Sequence, residues 1–546
     1  MGKLIEVFAV VALAAMVKCA NKPNIVIIMA DDMGSYDASF RGSNQFLTPN
    51  IDALGYNGII FDRFYTPHLC TPSRSSMMTG KYPHNIGMQD FVILGNEAWG
   101  LGLDEKLMSN YFKNAGYKTY LVGKWHLGFY KRQHTPTYRG FDSFYGYYNG
   151  FIDYYNYTYV QRRPYREPYV GYDFHSDTNV FTGMKPGTYA TDLFNDEAVR
   201  IIKKHNINKK PLFLMLNHLA THAGNEYDPM QAPQELKDKF KYIKNPDRSS
   251  MAAMVSSLDD KVGELVLALN EKGILENTII MFYSDNGAPT TGVFANYGSN
   301  YPLRGQKDSP WEGASRNLGL IYSPLLQKKQ RIYDGYFHTT DILPTLAAAA
   351  GISVSEVDGF NQWKALSEDF PSPRTEIIST LDNVLRFSSL ISKNWKLVNG
   401  TTSGGEYDGY LGEIENFSLS PATYASAVLS STVSKTLANI KSPAPILSAA
   451  AINQMRKKLT TNCNAAKNPP TECKPLEAPC LFNIVADPCE LKNVASIYPV
   501  TVKNLVQRMN DLARTSVPTR RTFVDDPRCD PKLHVGTWSW WVADSV

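Results

Sequence analysis

Four short apolar runs in this chain each end abruptly in polar residues. Asn24 to Ala30 (NIVIIMA) is followed at once by Asp31 and Asp32, and Tyr117 to Val122 leads into Gly123, Lys124, Trp125 and His126. Pro211 to Leu216 runs toward His218 and His222, and Thr278 to Tyr283 runs into Ser284, Asp285, Asn286 and Gly287. Runs with so little alternation are what strands covered on both faces look like in a parallel sheet. Helical periodicity separates them. Asp104 to Ala115 places Leu107, Met108, Tyr111 and Phe112 on one face and ends at Gly116. Asp247 to Lys272 repeats apolar residues every three or four positions from Met251 to Leu269 and ends at Gly273. This alternation predicts an α/β fold, a large, mostly parallel sheet flanked by helices. Ligands of such sheets sit beyond the carboxyl ends of the strands. All four polar clusters are therefore expected on one edge.

The pattern changes at about residue 370. Apolar runs shorten, Ser420 to Ala450 is rich in Ser, Ala and Pro, and Val500 to Leu512 is amphipathic. The reading is a main domain over 21–370 and a smaller α+β domain over 371–546, with an irregular insertion at about 403–460. Residues 1–20 stand apart. Lys3 precedes an uncharged apolar run, Phe8 to Val17, too short to span a bilayer, which predicts a cleaved signal peptide, passage through the secretory pathway and no stable membrane insertion.

Composition adds exclusions. In 546 residues the formal charge is only +4 and no dense Lys/Arg block occurs, which argues against a nucleic-acid partner. Cys19 falls in the leader and Cys70 stands alone. Cys463, Cys473, Cys480, Cys489 and Cys529 cluster near the C-terminus, as disulfides in an oxidising compartment do, with one thiol left over. Asn156, Asn399 and Asn416 begin N-x-S/T tripeptides, which are acceptors for glycans in that compartment.

Asp31, Asp32, Asp285 and Asn286 offer only oxygen ligands of use to a metal, a set that suits Ca²⁺ or Mg²⁺ rather than zinc. Each pair alone also reads as a solvated turn; their placement after two separate strands favours the metal. Cys70 opens Cys-Thr-Pro-Ser-Arg, whose Pro72 and Ser73 mark a helix start, where backbone amides favour an anion or thiolate. A lone cysteine is more often a small buried hydrophobe than a nucleophile. With Arg74, Lys124, His126, His222 and Lys307, the edge gathers cations and histidines against carboxylates, a mixture suited to displacement at a sulfate or phosphate ester.

The run from Cys70 to Gly80 resembles the C-x-P-S-R…T-G signature of the type I sulfatase family, within the alkaline phosphatase superfamily, and Gly116 to His126 resembles its second signature. Tyr301 to Lys307, Trp311-Glu312-Gly313 and Asp526 to Pro531 are similar to the arylsulfatase B-like branch. The resemblance implies that a formylglycine-generating enzyme oxidises Cys70 to Cα-formylglycine, and that Asp31, Asp32, Asp285, Asn286 and the residue at Cys70 hold one Ca²⁺. It implies that Arg74, Lys124, His126, His222 and Lys307 complete the active site of a secreted or lysosomal sulfuric ester hydrolase. Lys124 and Lys307 would hold the sulfate, Asp285 and His126 would accept protons, and His222 would protonate the departing alcohol. The implied substrate is a sulfated small molecule or glycan: a glycosaminoglycan amino-sugar sulfate, an aryl sulfate or a small plant sulfate such as a glucosinolate. A phosphatase or phosphonate esterase of the same superfamily, or a non-catalytic secreted binding protein, is the alternative. Gly313-Ala314-Ser315-Arg316 departs from the branch, and the cysteine expected to pair with Cys529 is absent. Seven tyrosines between Tyr145 and Tyr159 read either as an aromatic wall for substrate or as packing beneath a loop.

Overall fold

The computed structural model describes residues 22–543 apart from 186, 416, 441–446 and 464–468. The leader with Cys19 and the Asn416 tripeptide lie outside the described residues.

The four expected strands form and lie side by side. Five parallel strands run in the order Ser143–Tyr147, Lys118–Lys124, Leu212–Asn217, Asn24–Ala30 and Thr278–Ser284. Every residue of the central Asn24–Ala30 strand is buried, which is why its sequence shows no alternation. Beyond Thr278–Ser284 the sheet turns mixed. Gly319–Tyr322 is antiparallel to it and to Ile59–Tyr65, which pairs in parallel with Arg331–His338.

Register decides what this sheet can do. Ala30 pairs with Ser284, Met29 with Asn217, and Asn217 with Gly123. The strands therefore stop in line, and the residues that follow them emerge together. Helices cover the sheet. Pro246–Glu271 begins where the Asn245 side chain accepts from the amides of Asp247 and Arg248, and it buries Met251, Val255, Leu258, Val262, Leu265 and Leu269. The helix expected from Asp104 starts later, at Met108. Leu107 N–H donates to Asn110 Oδ1 at 3.0 Å, while Asp104 sits in the preceding turn. The cap that decides the start is Asn110, a residue inside the first turn.

A second sheet of four antiparallel strands, Glu376–Asp382, Phe387–Ser392, Trp395–Asn399 and Cys480–Asn483, packs under the helix Pro499–Thr515 through Leu505 and Met509. Cys473–Cys480 and Cys463–Cys489 are disulfides, and Cys529 is a buried free thiol. The stretch read as irregular contains three helices, Pro421–Ser430, Thr432–Ala438 and Ala449–Leu459. The serines that suggested loop are their N-caps: Ser420, Ser431 and Ser448 accept from the amides of Thr423, Ser434 and Ala451. These helices lie on the main domain, where Tyr424 Oη donates to Asp52 at 2.5 Å and the Arg456 guanidinium stacks on the Tyr424 ring.

Where the second sheet meets the main domain, Lys396 Nζ is fully buried between Glu312 (2.9 Å) and Glu490 (2.8 Å). Removing the one cation strands two buried carboxylates. Lys396→Met is expected to destabilise the protein by about 3–5 kcal/mol, read as a lowered urea midpoint, whereas Lys→Met at exposed Lys457 is expected to leave it unchanged.

Candidate active site

At the common strand ends the predicted residues meet. Lys124 Nζ lies 2.6 Å from Asp31 Oδ2. Lys307 Nζ reaches both oxygens of Asp32 at 2.7 Å and Cys70 Sγ at 3.2 Å. Arg74 donates from Nε (3.1 Å) and Nη2 (2.9 Å) to Asp285 Oδ2 and lies 3.6 Å from Asp31. Asn286 Nδ2 donates to Asp32 Oδ1 at 2.6 Å, and His222 Nε2 stands 3.4 Å from Asp32 Oδ2. Asp31, Asp32, Cys70 and His222 each offer a ligand atom within 4.8 Å of the others. His126 shares the cavity with Cys70, His222 and Lys307.

Local backbone sets these positions. Cys70 is the first residue of the helix Cys70–Thr79, as Pro72 and Ser73 implied, and Arg74 sits one turn later on the same end. Asp32 and His126 hold left-handed conformations, φ 63° and 55°, which Asp and His adopt more readily than most other non-glycine residues. Gly123 makes the Lys118–Lys124 strand possible, since a Cβ there would sit 1.9 Å from Asn217 O.

Three residues that seat this site escaped the sequence reading. Asn296 Nδ2 donates to the carbonyls of Asp32 (2.8 Å) and Thr221 (3.1 Å), fixing the turn that carries Asp32. Asn217 Nδ2 donates to Lys124 O at 3.0 Å; its place at a strand end was a usable signal. Phe151 stacks on His222 with centroids 5.3 Å apart; it lies inside the tyrosine-rich stretch from Tyr145 to Tyr159, whose aromatic density was the usable signal.

Burial dominates the electrostatics. It pushes the Cys70 thiol up to about 12 despite Lys124 and Lys307. The expected preference for a thiolate is thus not realised, because desolvation outweighs the helix end and both cations. Burial also pushes Asp31 up to about 7, with the Asp285 carboxylate adding to it against Lys124 and Arg74. For Asp32, burial is outweighed by Lys307, His222 and Lys124, which hold its carboxyl below the usual range. Burial lowers His222 to about 3 and His126 well below its usual value.

The donor set fits a hard divalent cation. Carboxylates of Asp31 and Asp32 converge, and Asn286 Oδ1 is buried without a hydrogen-bond partner. Exchanging the two ends of that amide, which are interchangeable in shape, puts the carbonyl oxygen beside Asp32 Oδ1. Two positive charges there would also relieve the repulsion that raises Asp31.

Above these groups opens a cavity of about 810 Å³, lined in part by Phe91, Phe151, Tyr159, Phe294, Asp308 and Tyr407. That is room for a substrate of drug or sugar size. Among the clustered tyrosines, Tyr147, Tyr148, Tyr154 and Tyr157 are buried packing, while Tyr159 also borders the cavity.

Residues 23–352 match the sequence model of the family described as Sulfatase. The chain belongs to the sulfatase family. Over 547 aligned residues it is 33% identical to mouse (Mus musculus) arylsulfatase J, covering 96% of this chain and 81% of the relative. Human (Homo sapiens) arylsulfatase A is 31% identical over 67% of this chain and 72% of its own length. A structure described as Ps i-CgsB in complex with k-i-k-neocarrahexaose superposes with a TM-score of 0.68 at 26% identity, covering 94% of this chain and 98% of that one. The phosphonate monoester hydrolase of Agrobacterium radiobacter, at 16% identity, TM-score 0.53 and coverage of 90% and 96%, shares the fold. This sulfatase is a sulfuric ester hydrolase, and its family implies a formylglycine and a divalent metal.

Arg74 spans two carboxylates with a planar fork that lysine lacks. Arg74→Lys is expected to lower sulfate release at least about tenfold, measured as kcat/KM on a chromogenic sulfate ester.

Proposed function

We propose that this sulfatase works through a formylglycine made from Cys70, with Ca²⁺ held by Asp31, Asp32, Asp285 and Asn286. The observation that supports this most is the convergence of Cys70, Asp31, Asp32 and His222 within one ligand-sized sphere at the floor of the cavity. A thiol that keeps its proton up to about 12 is a poor nucleophile at neutral pH, which favours an oxidised derivative at this position. When present, the hydrated aldehyde supplies an oxygen nucleophile and the cation supplies Lewis-acid polarisation of the ester.

The chain's own side chains have distinct tasks. Lys124 and Lys307, fixed by Asp31 and Asp32, present ammonium groups to the sulfate oxygens, where negative charge accumulates. Asp285 is aimed by Arg74 and accepts a proton from the attacking hydroxyl. His126 Nε2 pairs with Ile93 O at 2.9 Å, which places its hydrogen there and leaves Nδ1 as a buried lone pair without a partner, the atom that takes a proton when a bound sulfate offsets the burial and cations that lower this imidazole. His222 Nδ1 pairs with Ala223 O at 2.6 Å, so a proton on Nε2 makes it an imidazolium; Asp32 favours that form against the burial, Lys307 and Lys124 that lower His222, and the negative charge of a bound sulfate ester would tip the balance toward it. From that position it protonates the leaving alcohol.

Synthesis in the secretory pathway, with release or delivery to lysosomes, accompanies this reading. Two disulfides and the exposed asparagines of two tripeptides, Asn156 and Asn399, support it. Among the described residues no helix is long and apolar enough to cross a membrane. The substrate is a sulfated small molecule or glycan, and the maturation partner is a formylglycine-generating enzyme.

Hydrazide labelling of the Cys70 peptide, followed by mass spectrometry, is expected in the wild type and not in Cys70→Ala or Cys70→Ser, and both variants are expected to lose sulfate release. Wild-type rates in Cys70→Ala would reject the mechanism, and faster turnover of phosphate than of sulfate esters would point to the phosphatase alternative. Chelation is expected to lower both activity and unfolding temperature. Ca²⁺ restored to about 100 times its Kd is expected to return about 2.7 kcal/mol of stability, more than equal Mg²⁺ returns.

A further inference from the structure

Resting on the sulfatase reading above, we propose that Asp308 is a specificity-determining residue that accepts a hydrogen bond from a hydroxyl on the alcohol part of the substrate and repels esters carrying a second anion there. The substrate class it selects is a monosulfated, otherwise uncharged, hydroxyl-bearing alcohol with an apolar face.

Asp308 follows Lys307 directly and lines the same cavity, so its carboxylate stands next to the place where a sulfate must bind. The backbone presents it in a fixed way. Its φ is 63°, its N–H donates to His68 O at 3.1 Å, and its carbonyl accepts from Thr402 Oγ1. Asp308 Oδ1 is turned inward without a hydrogen bond, 4.0 Å from His68 Nε2 and so beyond bonding distance, while 25% of the side chain stays accessible and presents the rest of the carboxylate to the cavity. An unpaired carboxyl beside an anion-binding lysine weakens the site unless a ligand brings a donor to it.

The rest of the cavity has little else to offer a hydroxyl. Gln161 accepts from Gly95 N–H and Tyr159 Oη and donates to Arg162 O. Gln306 is bonded at both ends to the Thr291 backbone, and Arg163 is paired with Asp525. At the rim, Arg162 is paired with Glu226. The opposite wall is apolar, with Phe91, Phe151, Val293 and Phe294. Polar recognition therefore falls to the Asp308 carboxylate with the Tyr407 phenol beside it in the lining, Asp308 being the one of the two that carries charge, and the apolar wall takes the other face of the alcohol.

The test compares glucose 6-sulfate, glucose 3,6-disulfate and 4-nitrophenyl sulfate at about pH 8, where a carboxyl pushed up to about 7 by burial is ionised. Asp308→Gly removes the side chain and keeps the left-handed backbone; Asp308→Asn keeps an acceptor oxygen and removes the charge. In Asp308→Gly the kcat/KM ratio of glucose 6-sulfate to 4-nitrophenyl sulfate is expected to fall about tenfold. In Asp308→Asn that ratio is expected to hold, while the ratio of disulfate to monosulfate rises about tenfold. Ratios that stay within about twofold of wild type in both variants, or a wild type that prefers the disulfate, would overturn the assignment of Asp308 and leave the sulfatase mechanism standing. A wild type that releases sulfate from none of the three esters would instead overturn the mechanism, and this inference with it.

Discussion

Three carboxylates, Asp31, Asp32 and Asp285, are held fully out of water at one end of a sheet, and three cations lie against them, Arg74 and Lys124 buried and Lys307 at the edge of the cavity. Neither set is tolerable alone, since an isolated ion in such a medium carries a desolvation penalty of several kcal/mol. Together they are formally neutral. A divalent cation leaves this assembly with two positive charges, and an anionic ester or free sulfate answers that excess. The selectivity of the site for anions thus follows from its charge count before any particular contact is considered.

That balance depends on where strands stop. Asp31 and Asp285 follow strands paired residue for residue, Lys124 ends a third strand, and His222 follows a fourth. A shift of one residue in any pairing would carry a charge to the opposite face, where no partner awaits it. Arg74 and Cys70 arrive on a helix end and Lys307 on a loop, and the asparagines Asn217 and Asn296 tie the backbone turns together. The scaffold is rigid where the chemistry needs fixed distances and irregular only where the substrate enters.

Much of this was legible in the sequence because strands buried on both faces write themselves as apolar runs, and runs that stop at Asp-Asp or Asp-Asn declare an edge. The central sheet falls where the pattern placed it, and Asp31, Asp32, Lys124, His222, Asp285 and Asn286 lie together at its edge, while His218 does not line the cavity. What was hidden has physical reasons. Ile59–Tyr65 carries Asp62 and Arg63, half-buried, which breaks the apolar run that would have marked a strand. The helices between 421 and 459 were obscured because a capping serine and a loop serine are the same letter, and only its acceptor distance to an amide three residues on tells them apart. Asp308 was unreadable because its role depends on what lies across the cavity, which no local pattern records. At Cys70 a related limit holds: a helix start is visible in sequence, whereas the degree of burial that raises the thiol is not.

The segment from Asp525 to Trp538 returns across the main domain. Asp525 binds Asn96 and Arg163, Trp538 is fully buried against Tyr159, and the backbone at Gly536 and Trp538 clasps Tyr172. The hairpin so clamped, Thr158–Arg163 with Arg166–Tyr172, supplies one side of the cavity. A wall built from residues near 160, held on one side by Gly95 and Asn225, is therefore closed on the other by residues near 530. On the ribosome, the catalytic floor can assemble hundreds of residues before its enclosure, and a growing chain passes through a stage in which the reactive corner exists while the chamber around it is still open.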